Sequence, residues 1–178
     1  MANTTILGIS GSLRQNSSAS MVLKQVQKFM SPQVKFNLYE GLGSLPHFDD
    51  SNELPGEVKH FREQLAKANG IIICTPEYAF GVPGSLKNAL DWTVSSGEFV
   101  NKPVALITAA SVGRNAHASM LLTLSAISAK VTETTTLLIP FIRSKLDETG
   151  NIKDNDTLQA VQTLVSEFVE LLRRQDPF

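Results

Sequence analysis

The chain has 178 residues, 42% of them hydrophobic and 19% charged, which is ordinary globular usage and excludes a disordered or fibrous protein. Sixteen Lys+Arg against seventeen Asp+Glu leave a net charge of −1, so no global field recruits nucleic acid or an anionic membrane. The single cysteine, Cys74, excludes a disulfide within the chain and suits a reducing compartment. No apolar run reaches the ~20 residues of a bilayer span, and the run Ile6–Ile9 is too short for a signal peptide. The expectation is one cytoplasmic domain over residues 1–178 with neither nucleic-acid nor membrane partners.

Strand and helix patterns alternate five times along the chain. Thr4–Ser10 is a nearly continuous apolar strand, followed by a helical stripe of Val22, Val26, Phe29 and Met30. Val34–Tyr39 alternates Val34, Phe36 and Leu38 with Lys35, Asn37 and Tyr39, the pattern of an edge strand. A second stripe holds Val58, Phe61, Leu65 and Ala68, and Ile71–Thr75 is again a nearly continuous apolar run. The helix predicted from Pro83 to Val94 opens on a proline, where a missing N–H costs nothing. Val104–Ala110 is the fourth strand, and Met120, Leu121, Leu124 and Ile127 mark the fourth helix. Thr132–Ile139 is predicted as the fifth strand, Lys145–Asp156 as a solvated excursion, and the stripe from Leu158 to Leu172 as the last helix.

This order predicts a five-stranded parallel sheet with right-handed crossovers and helices on both faces, in strand order 2-1-3-4-5. A ligand then sits beyond the carboxyl ends of the strands, at the switch between the first and third. The loops that reach it are Ser10–Ser18, Pro76–Val82 and Ser111–Asn115.

The first loop, Ser10-Gly11-Ser12-Leu13-Arg14-Gln15-Asn16-Ser17-Ser18, enters a helix N-terminus, where unpaired N–H groups suit a phosphate. Hydroxyls of Ser10, Ser12, Ser17 and Ser18 add neutral donors and Arg14 a charged one. Ser17 or Ser18 could equally serve as a helix cap, and the loop alone leaves both readings open. Gly-Lys-Ser/Thr, Gly-x-Gly-x-x-Gly and the esterase elbow are all absent. Ser10 and Thr75 stand where a phosphate-accepting receiver domain needs acids.

The second loop, Thr75-Pro76-Glu77-Tyr78-Ala79-Phe80-Gly81-Val82-Pro83-Gly84, is made rigid by proline. It presents Tyr78 and Phe80 as a wall for a flat heteroaromatic ligand or for a neighbouring subunit. The third loop, with Ser111 and Gly113, could close the other side. His47, His60 and His117 lack metal-pair spacing.

Gly11-Ser12-Leu13-Arg14-x-x-Ser17, Thr75-Pro76-Glu77-Tyr78 and Pro83-Gly84-x-Leu86-Lys87-Asn88-Ala89-x-Asp91-Trp92 together resemble the NADPH-dependent FMN reductases, over essentially the whole chain. The resemblance implies an α/β, flavodoxin-like three-layer sandwich. It further implies an oxidoreductase with bound FMN and NADPH or NADH, passing hydride by a ping-pong route to a small-molecule electron acceptor. Quinones, free flavin, azo dyes and metal oxyanions are the acceptors of that group. By the same resemblance, Ser10, Ser12, Leu13, Arg14, Ser17 and Ser18 hold the FMN phosphate. Pro76, Glu77, Tyr78, Ala79 and Phe80 cradle the isoalloxazine, while Ser111 and Gly113 flank it. No side chain is nominated as a catalytic acid, base or nucleophile, and no metal is expected. A homodimer or homotetramer is implied, with the helix from Pro83 at the contact and Trp92 buried there.

This chain departs from the family pattern at Ala19 and Ala79, each where Asn is usual, and at Arg114-Asn115-Ala116, which replaces a Gly-Gly pair. A left-handed backbone suits Asn and not Ala, so Ala79 stores strain if it takes that conformation. A flavodoxin-type electron carrier and a flavin-free interaction module are the alternatives from other classes.

Overall fold

The computed structural model describes residues 4–50 and 53–174. Its strands are β1 (Thr4–Ser10), β2 (Val34–Tyr39), β3 (Gly70–Thr75), β4 (Val104–Ala109) and β5 (Thr136–Ile139). They form one parallel sheet in the order β2-β1-β3-β4-β5, as the sequence pattern predicts. The helices are α1 (Ser18–Phe29), α2 (Gly56–Lys67), α3 (Gly84–Asp91), α4 (Arg114–Ala126), α5 (Ile142–Lys145) and α6 (Asn155–Arg173).

Two apolar clusters explain the layers. Ile6, Ile72, Cys74 and Ile107 pack on Val22, Val26, Val161 and Phe168 from α1 and α6. Their alternate neighbours Leu7, Ile9, Ile73 and Leu106 pack on Phe61, Leu65, Leu86 and Leu124 from α2, α3 and α4. β3 and β4 are buried at every position because helices cover both faces, which is why they read as nearly continuous apolar runs. β2 lies at the edge; Tyr39 stacks 4.7 Å from Phe61, while Leu38 is left exposed.

Three expectations are corrected. Thr132–Thr135 is not strand: Glu133–Thr135 forms a 3-10 turn closed by a capping box between Thr132 and Thr135. Short hydroxyl side chains compete for the backbone there, so β5 begins only at Thr136. The Lys145–Asp156 segment is not a solvated excursion. Leu146 and Ile152 pair antiparallel and are buried in the α1/α6 cluster, and Asp147 organises the turn between them by accepting from the Thr149 and Asn151 amides.

The third correction concerns α3. Leu86, Ala89, Leu90 and Trp92 are buried within their own chain, so they offer no apolar face to a second subunit. The Trp92 indole donates to the Pro46 carbonyl at 2.8 Å and meets Phe48 edge-on at 5.1 Å. The helix also ends at Asp91 rather than continuing to Val94.

Candidate functional site

The β1–α1, β3–α3 and β4–α4 loops emerge side by side at the carboxyl end of the sheet, because their strands are hydrogen-bonded neighbours. Ser10 pairs with Cys74 across β1 and β3, and Thr75 with Thr108 across β3 and β4. The first loop starts tightly: the Gly11 amide donates to the Cys74 carbonyl at 2.8 Å, and a Cβ there would lie 2.8 Å from Thr75 Oγ1.

Beyond Gly11 the serines divide their work. Ser17 caps α1, accepting from the Ser20 amide at 3.1 Å, and its hydroxyl sits 2.8 Å from Ser20 Oγ. Ser20 Oγ in turn meets Ser10 Oγ at 3.1 Å. The capping role and the hydroxyl web therefore coexist in one residue. Ser18 is the first helical residue, and Ser12 Oγ reaches Tyr78 Oη at 3.3 Å, joining the first loop to the second.

The loop is rich in donors. Among the described residues, the amides of Leu13, Gln15, Asn16 and Ser18 meet no acceptor of the chain. Arg14 is exposed and forms no ion pair among the described residues. Arg14, Ser10 and Ser12 also line a cavity of about 640 Å³ whose far wall is Leu38, Tyr39 and Leu42. That wall was not legible in the sequence, since the end of β2 and the following turn reach the first loop only through the tertiary fold.

The second loop folds into a two-residue hairpin. Tyr78 and Gly81 exchange both backbone hydrogen bonds, at 3.0 and 2.9 Å, around Ala79 and Phe80. Both central residues are left-handed, Ala79 at φ 48° and Phe80 at φ 59°. This is the pattern of a type I′ turn, which normally takes Asn or Gly. The amides of Glu77, Ala79 and Phe80 have no acceptor among the described residues. Phe80 is 77% exposed and Tyr78 49% exposed, so the aromatic wall stands open. Pro76 is half-buried at its root.

The Glu77 carboxylate crosses to the third loop, accepting from the Gly113 amide at 3.1 Å and the Ala116 amide at 2.9 Å. Gly113, at φ 86°, is the N-cap of α4; a Cβ would lie 2.8 Å from Leu138 Cδ1, so both conformation and space require glycine. Ser111 and Val112 are exposed, and the Ser111 carbonyl accepts from the Phe141 amide at 3.1 Å. Phe141, 66% exposed, adds an aromatic neighbour that sequence reasoning missed.

Burial pushes the Cys74 thiol upward, holding it protonated in the core. Desolvation lowers the His117 pKa, and its Nδ1 lies 2.9 Å from Thr108 Oγ1. Burial raises the Tyr39 phenol to about 12. No cluster of His, Cys, Asp and Glu among the described residues could hold a metal.

The fold is that of a flavodoxin-like α/β protein, with a donor-rich first loop beside a second loop that exposes Tyr78 and Phe80. Residues 4–143 match the NADPH-dependent FMN reductase family. A quinone reductase from Escherichia coli is 28% identical, over 95% of each chain. A 2-hydroxy-1,4-benzoquinone reductase from Burkholderia sp. is 30% identical, over 92% of this chain and 93% of that one. A flavoenzyme NAD(P)H:(acceptor) oxidoreductase from Paracoccus denitrificans superposes with a TM-score of 0.84 at 25% identity, over 96% of this chain and 98% of that one. The chain belongs to the NADPH-dependent FMN reductase family and is an oxidoreductase, with FMN and NAD(P)H as its cofactors. The residues present suit FMN: unpaired amides and an unpaired guanidinium match a phosphate dianion, and exposed amides beside an aromatic wall match a flat ring with acceptor edges.

Proposed function

We propose that the chain, one FMN-binding domain over residues 1–178, is a cytoplasmic NAD(P)H-dependent reductase of quinones. Free flavin, azo dyes and metal oxyanions are further acceptors at the same site. The observation that carries this reading is the meeting of three loops at the carboxyl end of the sheet, joined by Ser12 to Tyr78 and by Glu77 to Gly113 and Ala116, with unpaired amides at Leu13, Gln15, Asn16 and Ser18 and a second set at Glu77, Ala79 and Phe80. Relatives named for quinone and benzoquinone reduction support the choice of acceptor.

Bound FMN supplies a ring that takes a hydride from NAD(P)H and releases electrons to the acceptor. The protein's part is binding and electrostatics. Arg14 and the amides of Leu13, Gln15, Asn16 and Ser18 hold the phosphate, with Ser10, Ser12 and Ser17 shaping the loop beneath them. The second-loop amides would donate to an acceptor edge of the ring and favour negative charge there. Pro76 holds that loop rigid, Tyr78 and Phe80 would cover part of one side of the ring, and Ser111 and Gly113 would bound the other. Phe80 is 77% exposed, so this side of the site is open to solvent, which leaves room for donor and acceptor to use one face in turn. That arrangement supports a ping-pong sequence.

Assembly into a homodimer or homotetramer belongs to the same proposal. The apolar surface available for it is the rim of Leu13, Tyr78, Phe80, Val112 and Phe141, all exposed. Steady-state NAD(P)H oxidation with a benzoquinone, on purified protein showing flavin absorbance, is the test. Parallel double-reciprocal lines are expected. Protein without flavin, or intersecting lines, refutes the reading in its cofactor or in its kinetic order respectively.

A further inference from the structure

We propose that Glu77 is a positioning residue: its carboxylate caps α4 from another loop and so locks the second and third loops into one rigid flavin-binding wall. The inference rests on the FMN site proposed above. The N-cap of α4 is Gly113, which has no side chain to cap the helix, and no side chain of its own loop takes that role. The first turn of a helix nonetheless leaves amides in need of acceptors. Glu77, 36 residues away in sequence, meets this need with both carboxylate oxygens: Oε1 accepts from Gly113 and Oε2 from Ala116. These are the N-cap and N3 amides, the pair that the two side chains of a capping box would satisfy between them.

Two consequences follow for the flavin. The carboxylate charge lies against the positive end of the α4 dipole, which offsets its repulsion of charge developing on a reduced ring nearby. The anchor also lies one residue before the Tyr78–Gly81 hairpin, so it holds the root of the turn that carries Ala79 and Phe80. Tyr78 secures the other side through Ser12 at 3.3 Å. A Cβ at Gly113 would crowd Leu138 and Thr108 at a positive φ, so the third loop takes this seat only with glycine, and Glu77 holds it there. Glu77 therefore acts on FMN through backbone geometry, not by touching the ring.

The test compares the wild-type full chain with Glu77→Ala and Glu77→Gln, each with and without FMN. Amide hydrogen exchange is followed at Gly113 and Ala116, and FMN affinity by fluorescence quenching. Without FMN, Glu77→Ala is expected to speed exchange at both amides by about tenfold and, on loading, to weaken FMN by a similar factor. Glu77→Gln keeps one acceptor oxygen and is expected to fall between, provided β-sheet amides exchange as in wild type. Unchanged exchange at Gly113 and Ala116 in Glu77→Ala overturns the latch. Faster exchange with unchanged FMN affinity overturns its bearing on the flavin. A wild-type chain that takes up no FMN overturns the site assignment itself, and this is read before any variant.

Discussion

The hairpin at Tyr78–Gly81 sets two non-glycine residues side by side in left-handed conformation, Ala79 at φ 48° and Phe80 at φ 59°. A side chain with a Cβ pays about 1–2 kcal/mol for each such residue, because Cβ crowds the following carbonyl oxygen. Asn recovers much of that cost by local hydrogen bonding, whereas Gly recovers it all but loses about 0.5–1 kcal/mol to a freer unfolded chain. Ala79→Asn should therefore stabilise the protein by about 1 kcal/mol, which for a chain of this size raises Tm by about 2–4 °C. Ala79→Gly should gain less. Neither change disturbs a contact of the core, since Ala79 is exposed. Thermal melts of FMN-free protein, followed by FMN titration, are the assay. If the hairpin keeps its left-handed turn without FMN, the whole gain appears in Tm and the affinity is unchanged. If the turn relaxes without FMN, Tm is unchanged and FMN tightens by about fivefold, the same 1 kcal/mol expressed in binding. No change in either quantity would refute the strain argument.

Arg14→Ala removes a charge-assisted contact of about 1.5–3 kcal/mol, so FMN should weaken at least tenfold while riboflavin, lacking phosphate, is little affected; equal losses in parallel titrations would place Arg14 elsewhere. Gly113→Ala meets Leu138 Cδ1 at 2.8 Å and Thr108 Cγ2 at 3.1 Å at a φ of 86°, and urea melts should show a loss of about 2 kcal/mol or more. A loss below half of that would mean that the β4–α4 loop has a second seat. His117 has its pKa lowered from the ordinary 6.5 by desolvation, so the unfolded chain takes a proton that the folded chain declines. The stability due to neutral His117 is then whole above pH 6.5 and is lost as pH falls from there toward the lower folded value. His117→Gln should flatten urea-derived stability against pH in that window, and an unaltered slope would exclude His117 as its source.

Much of the architecture was legible because it is written in short-range pattern. Nearly continuous apolar runs at Ile71–Thr75 and Val104–Ala110 pointed to two covered faces, and alternation with helical stripes then pointed to parallel strands and crossovers. The loops proposed to carry the site followed from strand order alone, and the Asn usual at position 79 in the family raised the left-handed backbone that Ala79 takes. What sequence could not separate was which apolar residues serve the chain's own core. Trp92 and its α3 neighbours have the composition of an interface, yet Pro46 and Phe48, some forty residues earlier, close over them. The Lys145–Asp156 segment has the polarity of a solvated loop, yet Leu146 and Ile152 anchor it. Nor does any local signal join Glu77 to Gly113 and Ala116, or bring Leu38 and Leu42 opposite Arg14. Periodicity reports the face a residue turns toward; what meets it on that face is decided by segments distant in sequence, through packing that exists only once the sheet has formed.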